Sequence, residues 1–294
     1  MTGSFRSGYV SFTGRPNVGK STLLNVVLGQ KIAIVADRQQ TTRNRILGIK
    51  NYPDAQIIFV DTPGIHKPKH ALGSSMVRTA REVLSEMDLI VFVTEPHAFD
   101  KDREIIESFK SIDTPVILLL NKIDKIKKPG ILSLIDKYSN MFPFKEIIPV
   151  SAIKHDGIDL FLGKVLHYLP LGPKYYSDDL VTDQMERFMV SEIIREKIVE
   201  NTSEEIPHSV AVEVINWTEK KDGLVVIEAN IYVEREGQKG IIIGHRGAML
   251  KRTGTSARLD IEKLLGVKIF LELRVKVKKG WRDDKKMLND LGYK

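Results

Sequence analysis

Residues 14–21 decide the fold, and they read Gly14-Arg15-Pro16-Asn17-Val18-Gly19-Lys20-Ser21. This stretch matches the pattern G-x-x-x-x-G-K-[ST] without a mismatch, and it follows the β-type run Tyr9 to Thr13. In such a loop the backbone N–H groups turn towards the phosphates of a nucleotide, the lysine reaches the β- and γ-phosphate oxygens, and the serine hydroxyl binds magnesium. The stretch therefore predicts a phosphate-binding loop, with an ordinary glycine turn before a helix as the alternative.

The sequence around this loop alternates short apolar runs with amphipathic stretches. Strands are predicted at Tyr9 to Thr13, Ile57 to Val60, Leu89 to Val93, Val116 to Leu120 and Ile147 to Val150. Helices are predicted to begin near Lys20, Ser74, Asp102, Gly130 and Gly157. This alternation is typical of an α/β domain with a mostly parallel sheet, in which ligands bind beyond the carboxyl ends of the strands.

A second motif, Asp61-Thr62-Pro63-Gly64, follows the strand that ends near Val60. An acidic residue at this strand tip holds magnesium through a bound water, and the Gly64 N–H meets a γ-phosphate. On its own the motif would also predict a simple turn. Together with Ser21 it predicts a site for a magnesium-bound nucleotide.

Two further strand ends carry groups that suit guanine. Asn121-Lys122-Ile123-Asp124 follows one strand, and the Asp124 carboxylate can accept hydrogen bonds from the ring N1–H and the exocyclic amine, which adenine does not offer. Ser151-Ala152 follows the next strand, and a backbone N–H near Ala152 is predicted to meet the guanine carbonyl oxygen. A P-loop kinase or ATPase would require the motif at Asn121 to be accidental.

The second half of the chain begins with a change of composition. Pro170 to Asp179 contains proline, glycine and acidic residues, and it predicts a linker that lets two domains reorient. A helix, two strands, two helices and a strand are then predicted at Gln184 to Val199, Val210 to Trp217, Leu224 to Val233, Lys239 to Ile243, Ala248 to Leu265 and Lys268 to Val277. The first helix carries an apolar face that predicts core packing, formed by Met185, Phe188, Met189, Ile193 and Ile194.

Between the last two predicted helices lies Gly244-His245-Arg246-Gly247. This is a G-x-x-G pattern, the loop with which KH domains clamp the backbone of about four nucleotides. About one or two such matches are expected by chance in a chain of this length, so the prediction depends on the order of helices and strands around the loop. The loop predicts binding to single-stranded RNA, because a clamp of this kind needs bases that are free of a duplex.

The positive charge is concentrated around this loop. Residues 235–294 contain 16 Lys and Arg against 7 Asp and Glu, a net charge of +9, whereas the whole chain carries +7. The residues before position 235 therefore have a small net negative charge. This distribution predicts contact with a polyanion near the C-terminal end.

The nucleotide motifs in this order, with Gln40-Thr41-Thr42-Arg43 and the second domain, resemble the Era family of bacterial ribosome-assembly GTPases. The resemblance spans essentially the whole chain. It implies an α/β P-loop GTPase domain with a mostly parallel sheet at 1–172, a linker at 173–182 and an α+β type II KH domain at 183–294. It also implies catalytic roles for Lys20, Thr42 and Gly64, with Thr41 an equally good chemical candidate for the role of Thr42.

The resemblance assigns further contacts residue by residue. Nucleotide contacts are implied for Gly14, Asn17, Val18, Gly19, Lys20, Ser21, Thr22, Asp61, Asn121, Lys122, Asp124, Ser151 and Ala152. Magnesium contacts are implied for Ser21, Thr42 and, through water, Asp61. RNA contacts are implied for Gly244, His245, Arg246, Gly247, Lys251, Arg252, Arg258, Lys276, Lys278 and Lys279, with Arg282 nearby in sequence. Asn17 either holds a potassium ion beside the phosphates or serves a left-handed loop conformation.

The implied function is hydrolysis of GTP to GDP coupled to binding of the single-stranded 3′ end of 16S rRNA. The implied partner is the precursor of the small (30S) ribosomal subunit, with a link to cell growth and division. Ile65 stands where Ras-type switches have a glutamine that orients water, so slow unaided turnover is expected. This residue keeps open the alternative of a GTP-gated RNA-binding module with negligible intrinsic hydrolysis.

Composition excludes several other classes of protein. There is no cysteine, which excludes disulfides, thiolate metal sites and thiol nucleophiles. No run approaches the roughly 18 to 20 apolar residues that span a bilayer, and Met1 to Ser7 do not resemble a secretory signal. We expect a cytoplasmic monomer, with weak peripheral contact between the basic C-terminal region and the inner face of the membrane.

Overall fold

The chain forms two compact units. The computed structural model describes residues 5–35, 42–65, 68, 70–84, 86–202 and 205–293. Where they are described, residues 1–33, 42–67 and 76–183 form the first unit. The described residues of 184–294, together with those of segments 34–41 and 68–75 from the first half of the chain, form the second unit. The motif residues Gln40 and Thr41 and the N-terminal residues Met1 to Ser4 lie outside the described residues.

The first half of the chain forms a six-stranded sheet and its helices. The strands are β1 (Arg6–Thr13), β2 (Ile46–Asn51), β3 (Ala55–Asp61), β4 (Leu89–Thr94), β5 (Val116–Leu120) and β6 (Glu146–Pro149). The helices are α1 (Lys20–Leu28), α2 (Ala71–Leu84), α3 (Arg103–Ser108), α4 (Lys128–Ser139) and α5 (Ile158–Tyr168). The strand order is β2-β3-β1-β4-β5-β6; β2 pairs antiparallel with β3, and the other pairs are parallel. This architecture confirms the predicted mostly parallel sheet.

The apolar runs of this sheet are buried on both faces. Every residue of β3, β4 and β5 is buried. Strands covered by helices on both sides lack the polar alternation of a half-exposed strand, which explains their continuous apolar sequences. Because β1, β3, β4 and β5 run parallel to one another, their carboxyl ends meet at one edge of the sheet, where the phosphate loop and the other motifs begin.

Strand β2 is missing from the sequence prediction because Gly48 interrupts its apolar run. A Cβ at Gly48 would lie 2.5 Å from Cδ1 of Leu28, so the glycine lets α1 pack closely against this strand. Ile46 pairs with Asp61 in the β2–β3 ladder. This pairing brings the segment that contains Thr42 next to the magnesium motif.

The stretch predicted to be a linker is bound to the first unit. The Gln56 side chain is fully buried; its carbonyl oxygen accepts from the N–H groups of Tyr175 and Tyr176 at 2.9 and 3.0 Å. The Ile49 N–H donates to the Val181 carbonyl at 2.8 Å. Residues 173–182 contain no helix or strand. These hydrogen bonds nevertheless hold them against β2 and β3.

The second unit is a three-stranded sheet covered by helices. Its elements are α6 (Glu186–Asn201), α7 (Ile206–Ser209), β7 (Ala211–Glu219), β8 (Val225–Val233), α8 (Glu236–Ile243), α9 (Ala248–Leu265), β9 (Ile269–Val277) and α10 (Lys285–Asp290). The strand order is β7-β8-β9, with β7 antiparallel and β9 parallel to β8. The predicted order of elements is confirmed, and the short helices α7 and α10 are additions to it.

The core of this unit also differs from the prediction in detail. Ile194 of α6 is fully buried, whereas Met185 is 79% exposed because it precedes the helix at its N-cap position. The additional C-terminal segment is anchored by Trp281, which is fully buried and donates its indole N–H to the Ser209 carbonyl at 2.9 Å. This tryptophan fixes the chain that follows β9.

Across the described parts of the chain, no helix combines the length and apolar character needed to span a membrane.

Candidate nucleotide site and nucleic-acid interface

The phosphate loop joins β1 to α1 in the conformation that the motif requires. Gly14 and Gly19 have φ values of +146° and +100°, and a Cβ at Gly14 would lie 2.2 Å from the Val93 carbonyl oxygen. A side chain at Gly14 would therefore collide with the neighbouring strand β4. Asn17 has a φ of 66°, a left-handed conformation that asparagine tolerates better than most residues. This left-handed conformation is by itself a reason for asparagine at position 17. The contact of Asn17 with potassium stays a prediction.

Lys20 lies in the mouth of this loop. Its ammonium group is buried and donates to the carbonyl oxygens of Gly14 and Arg15 at 3.3 and 2.9 Å. Burial lowers the pKa of Lys20 from 10.5 to about 8, although the nearby Asp61 carboxylate opposes the shift. Burial destabilises the charged form of Lys20 and a nearby anion stabilises it, so this ammonium group is suited to bind phosphate oxygens.

The pKa of Lys20 predicts proton uptake on nucleotide binding. Because its folded pKa lies below its ordinary value, Lys20 is mostly neutral at pH 9, and its contribution to folding stability rises with pH between about 8 and 10.5. Phosphates beside the ammonium group would restore the charge. We expect GDP binding to take up about one proton at pH 9 and much less at pH 7, measured by calorimetry in buffers of different ionisation enthalpy. Lys20→Arg, which stays charged at both pH values, should remove the difference in proton uptake between pH 9 and pH 7. If the variant keeps that difference, Lys20 is not the group that takes up the proton.

Three predicted magnesium residues converge beside the loop. The Ser21 hydroxyl donates to Oδ2 of Asp61 at 2.7 Å, and the Thr42 hydroxyl donates to the same oxygen at 3.1 Å. The two hydroxyl oxygens lie 2.7 Å apart, and all three side chains are buried. Burial raises the pKa of the Asp61 carboxyl, with Lys20 and the two hydroxyls opposing the shift. The cluster brings Thr42, from the segment before β2, directly to the phosphate loop.

The donor set of this cluster fits magnesium. Oδ1 of Asp61 is buried and makes no hydrogen bond among the described residues. A buried carboxylate oxygen of this kind is costly unless a cation or water satisfies it. Hydroxyl and carboxylate oxygens are the ligands that Mg²⁺ takes in nucleotide sites, where phosphate oxygens and water complete its shell. The residues present therefore suit the predicted ion.

The motif after β3 lies against the phosphate loop. The buried Thr62 hydroxyl donates to the Phe12 carbonyl at 3.0 Å, which fixes the turn. A Cβ at Gly64 would lie 2.8 Å from the backbone nitrogen of Pro16, so only glycine allows this approach. The Ile65 N–H donates to the Gly14 carbonyl at 3.3 Å, while its side chain packs against the apolar core of the unit. Ile65 thus contributes packing and offers no side-chain group that could orient water.

The two predicted base loops are joined to each other and to the phosphate loop. The Asn121 amide donates to the Val18 carbonyl at 2.9 Å, and its oxygen accepts the Ala152 N–H at 3.1 Å. The Ser151 hydroxyl donates to Oδ1 of Asp124 at 2.6 Å. These bonds orient the Asp124 carboxylate. The Ala152 N–H is here used by Asn121, so its predicted contact with the guanine carbonyl stays a prediction.

Sequence reasoning overlooked one charged residue at this site, Glu95. The Lys122 ammonium group donates to the Asn17 carbonyl at 2.6 Å and to Oε2 of Glu95 at 2.7 Å. Glu95 directly follows β4, whose carboxyl end lies between those of β1 and β5. The rule that ligand sites lie beyond strand ends could have pointed to it. Thr22, predicted to contact nucleotide, is half-buried on α1.

The G-x-x-G loop of the second unit has the backbone that its glycines predict. Gly244 and Gly247 have φ values of +72° and +78°, and Arg246 between them also has a positive φ of 49°. A Cβ at Gly244 would lie 2.5 Å from Cβ of Met249, whereas a Cβ at Gly247 would meet no heavy atom within 4 Å. Gly244 is thus required for packing, and Gly247 leaves the backbone open to a ligand.

A groove begins at Gly247 and runs between α9 and β9. It has a volume of about 570 Å³, and its walls combine apolar side chains with two cations. The lining residues are Gly247, Leu250, Lys251, Gly254, Thr255, Arg258, Ile269, Phe270, Leu271 and Leu273. Phe270 is 55% exposed, and because its neighbours Ile269 and Leu271 pack against the core, its ring lies on the same face of β9 as Lys276, away from the helices. An open groove with a glycine loop and cations is suited to the backbone of single-stranded nucleic acid.

The other predicted RNA-binding cations lie elsewhere on this unit. His245, Arg246 and Arg252 are exposed on or beside the loop. Val275 and Val277 of β9 pack against the core, so the intervening Lys276 and the following Lys278 point away from the helices. Lys279 lines a separate shallow cavity beside Glu234 and Arg235.

Arg282 is a structural residue. Its guanidinium group makes an ion pair with Glu234, with a hydrogen bond of 3.0 Å from Nε, and both side chains are mostly buried. Arg282, which the sequence places only near the predicted RNA-binding cations, is therefore used within the fold.

Sequence comparison supports both halves of this description. Residues 9–122 match the family described as 50S ribosome-binding GTPase, and residues 205–282 match the KH domain family. GTPase Era of Ruminiclostridium cellulolyticum is 53% identical over 99% of this chain and 98% of its own length. The chain belongs to the GTPase Era family. GTPase Era of Geobacter metallireducens, at 51% identity over 98% of both chains, is a second such relative.

Solved Era structures agree with the fold. Era in complex with MgGDPNP and nucleotides 1506–1542 of 16S ribosomal RNA is 42% identical, with a TM-score of 0.95 over 98% of this chain and 99% of that chain. A variant of Aquifex aeolicus Era bound to GDP.AlF4- matches equally well, with the same TM-score of 0.95. The prediction of an Era-family GTPase with a C-terminal KH domain is confirmed.

Proposed function

We propose that this chain is a GTP-hydrolysing switch that binds the single-stranded 3′ end of 16S rRNA and acts in assembly of the small ribosomal subunit. The proposal of GTP hydrolysis rests on one observation: Ser21, Thr42 and Asp61 converge beside the phosphate loop. The RNA part rests on the groove at Gly247 and on the likeness to an Era structure that contains nucleotides of 16S rRNA.

The proposed reaction is transfer of the γ-phosphoryl group of GTP to water. The bond between the γ-phosphorus and its bridging oxygen breaks, and the products are GDP and phosphate. Lys20 would neutralise charge on the β- and γ-phosphates, and the Gly64 N–H would donate to the γ-phosphate. Mg²⁺, held through Ser21, Thr42 and Asp61, would neutralise charge that develops on the phosphate oxygens.

Slow unaided turnover is part of this proposal. Ile65 cannot orient the attacking water, so that task falls to switch backbone groups, a second water or a partner. A pure RNA-binding module gated by GTP is the alternative, and it is disfavoured because the chain belongs to a family of GTPases. A rise in turnover with RNA or potassium would separate the two.

The RNA proposal predicts a large effect of Gly247→Asp. This change puts a carboxylate where the RNA backbone would approach, and like charges in contact are costly, so binding of a single-stranded oligonucleotide matching the 3′ end of 16S rRNA should weaken at least about tenfold. Fluorescence anisotropy would measure the dissociation constant.

Gly223→Asp is the matched control for this experiment. Gly223 lies in the turn between β7 and β8, with a φ of +81° and nothing within 4 Å of an added Cβ, so it carries the same strain and gains the same charge. RNA affinity should stay close to that of the parent chain. Equal losses in both variants would refute the groove as the RNA site.

Coupling between nucleotide and RNA would use two short segments next to the switch residues. The described residues of segments 34–41 and 68–75 belong to the second unit although Thr42 and Gly64 lie close to them in sequence. In that unit the Val35 N–H donates to Glu196 at 2.8 Å, and the Ala71 N–H donates to Asp283 at 2.8 Å. Movement of Thr42 or Gly64 with the nucleotide state would therefore pull on residues bonded to the KH-type unit.

The remaining assignments are part of the same proposal. The GTPase function is assigned to residues 1–172 and RNA binding to 183–294, with 173–182 between them. The proposed location is the cytoplasm, with weak peripheral membrane contact, and the proposed oligomeric state is a monomer. A potassium ion at Asn17 would add charge stabilisation to the phosphates.

A further inference from the structure

Lys122 is held in a constrained position between three chain segments. Its backbone adopts a left-handed conformation with a φ of 61°, and the Ile123 N–H that follows it donates to the Val150 carbonyl at 3.3 Å. Its ammonium group bridges the Asn17 carbonyl and the Glu95 carboxylate. Of these two acceptors only Glu95 carries a charge, so it supplies most of the attraction that holds the ammonium group.

The backbone at Glu95 is fixed on both sides. The preceding Thr94 accepts the Asn121 N–H at 2.9 Å through its carbonyl, and its hydroxyl is bonded to the buried Asp102 carboxylate. After Glu95 the chain turns, and the Ala98 N–H donates to the Glu95 carbonyl at 3.0 Å. A carboxylate on such a fixed backbone loses little conformational freedom when it holds a lysine.

We propose that Glu95 is a positioning residue for nucleotide binding, which holds Lys122 against Asn17 and thereby ties the base-binding loop to the phosphate loop. This inference rests on the guanine site proposed above. Glu95 acts through Lys122 and takes no part in the cluster of Ser21, Thr42 and Asp61. Its loss should therefore speed nucleotide release and raise KM for GTP while leaving kcat nearly unchanged.

The test compares Glu95→Gln with a matched ion-pair variant. Glu146→Gln breaks a pair with Lys164 of similar length, 2.6 Å against 2.7 Å, and of similar exposure, 38% and 25% against 24% and 34%. Glu146 and Lys164 lie on β6 and α5, and neither is assigned to the nucleotide site. The full chain loaded with radiolabelled GDP would be chased with excess unlabelled GDP.

We expect Glu95→Gln to release GDP about fivefold faster, the upper end of what a partly exposed ion pair contributes, and Glu146→Gln to match the parent chain. High salt should bring the parent rate towards that of Glu95→Gln, because exposed pairs are screened. In a Lys122→Met background, Glu95→Gln should have no further effect. Equal rates in the two single variants, or additive effects with Lys122→Met, would overturn the inference.

The controls separate failure of this inference from failure of the proposed function. If the parent chain does not retain GDP, the guanine site itself is wrong. If it retains GDP and Glu95→Gln lowers kcat at unchanged KM, the site stands and the positioning role is wrong.

Discussion

Replacing Asp124 by Asn is expected to weaken GTP binding about a thousandfold, the largest effect of any single substitution considered. The carboxylate, oriented by the Ser151 hydroxyl at 2.6 Å, would accept two hydrogen bonds from guanine. An asparagine keeps one acceptor and turns an NH₂ donor towards a donor of the base, so one bond is lost and a repulsion is added. Competition between unlabelled nucleotides and fluorescent GDP would measure the change.

The same substitution should reverse the preference for the base. Xanthine carries a carbonyl in place of the exocyclic amine of guanine, and that carbonyl can accept from the new NH₂ group. Xanthosine triphosphate should therefore bind Asp124→Asn better than GTP does. Retention of tight GTP binding by the variant would mean that Asp124 does not read the base.

The second large effect is expected for Asp61→Asn, which should lower the rate of GTP hydrolysis about a hundredfold. An amide cannot hold the magnesium shell as a carboxylate does, although it can still accept from Ser21 and Thr42. Single-turnover hydrolysis at saturating GTP, with a titration of Mg²⁺, would measure the loss.

Asp61→Asn should leave the nucleotide-free protein as stable as the parent chain, or more so. Burial raises the pKa of the Asp61 carboxyl, so the folded state holds its proton more tightly than the unfolded chain does. The charged carboxylate therefore costs stability as pH rises above its ordinary pKa, and an amide removes that cost. A higher melting temperature with lost Mg²⁺ dependence is the expected pair of results. A strongly destabilised variant with normal hydrolysis would contradict the assignment.

The nucleotide motifs were predictable because each requires a backbone that few residues allow. Gly14, Gly19 and Gly64 stand where a Cβ would collide with neighbouring atoms, so the spacing of the glycines carries the geometry. Asp61 ends and Asn121 follows a buried apolar strand, and the carboxyl ends of parallel strands converge. For these residues the sequence pattern alone is nearly enough to predict the geometry of the site.

Other features depend on contacts between residues far apart in sequence. Gly48 interrupts the apolar run of β2, and the close approach of Leu28 is the reason for a glycine there. The composition of Pro170 to Asp179 predicts a linker that lets two domains reorient, but the buried Gln56, over a hundred residues earlier, holds Tyr175 and Tyr176. A single amide side chain in a strand gives no signal of such a partner.

Charge was the least reliable guide to individual residues. The excess of Lys and Arg after position 235 falls in the second unit, where Lys251 and Arg258 line the groove, while the neighbouring Arg282 is used in an ion pair with Glu234. Glu95 was missed because it belongs to none of the nucleotide motifs and its role depends on a contact with Lys122, 27 residues later. Its partner Lys122 explains its presence.

We expect the bound nucleotide to control how tightly the chain binds RNA. The most direct test is the affinity of the full chain for an oligonucleotide matching the 3′ end of 16S rRNA, measured with GDP bound and with a non-hydrolysable GTP analogue bound. We predict dissociation constants that differ at least about fivefold, the lower end of ordinary coupling between sites, with the difference lost in Gly247→Asp. Equal affinities in the two states would contradict the account, because a ligand that binds both states equally cannot shift their populations.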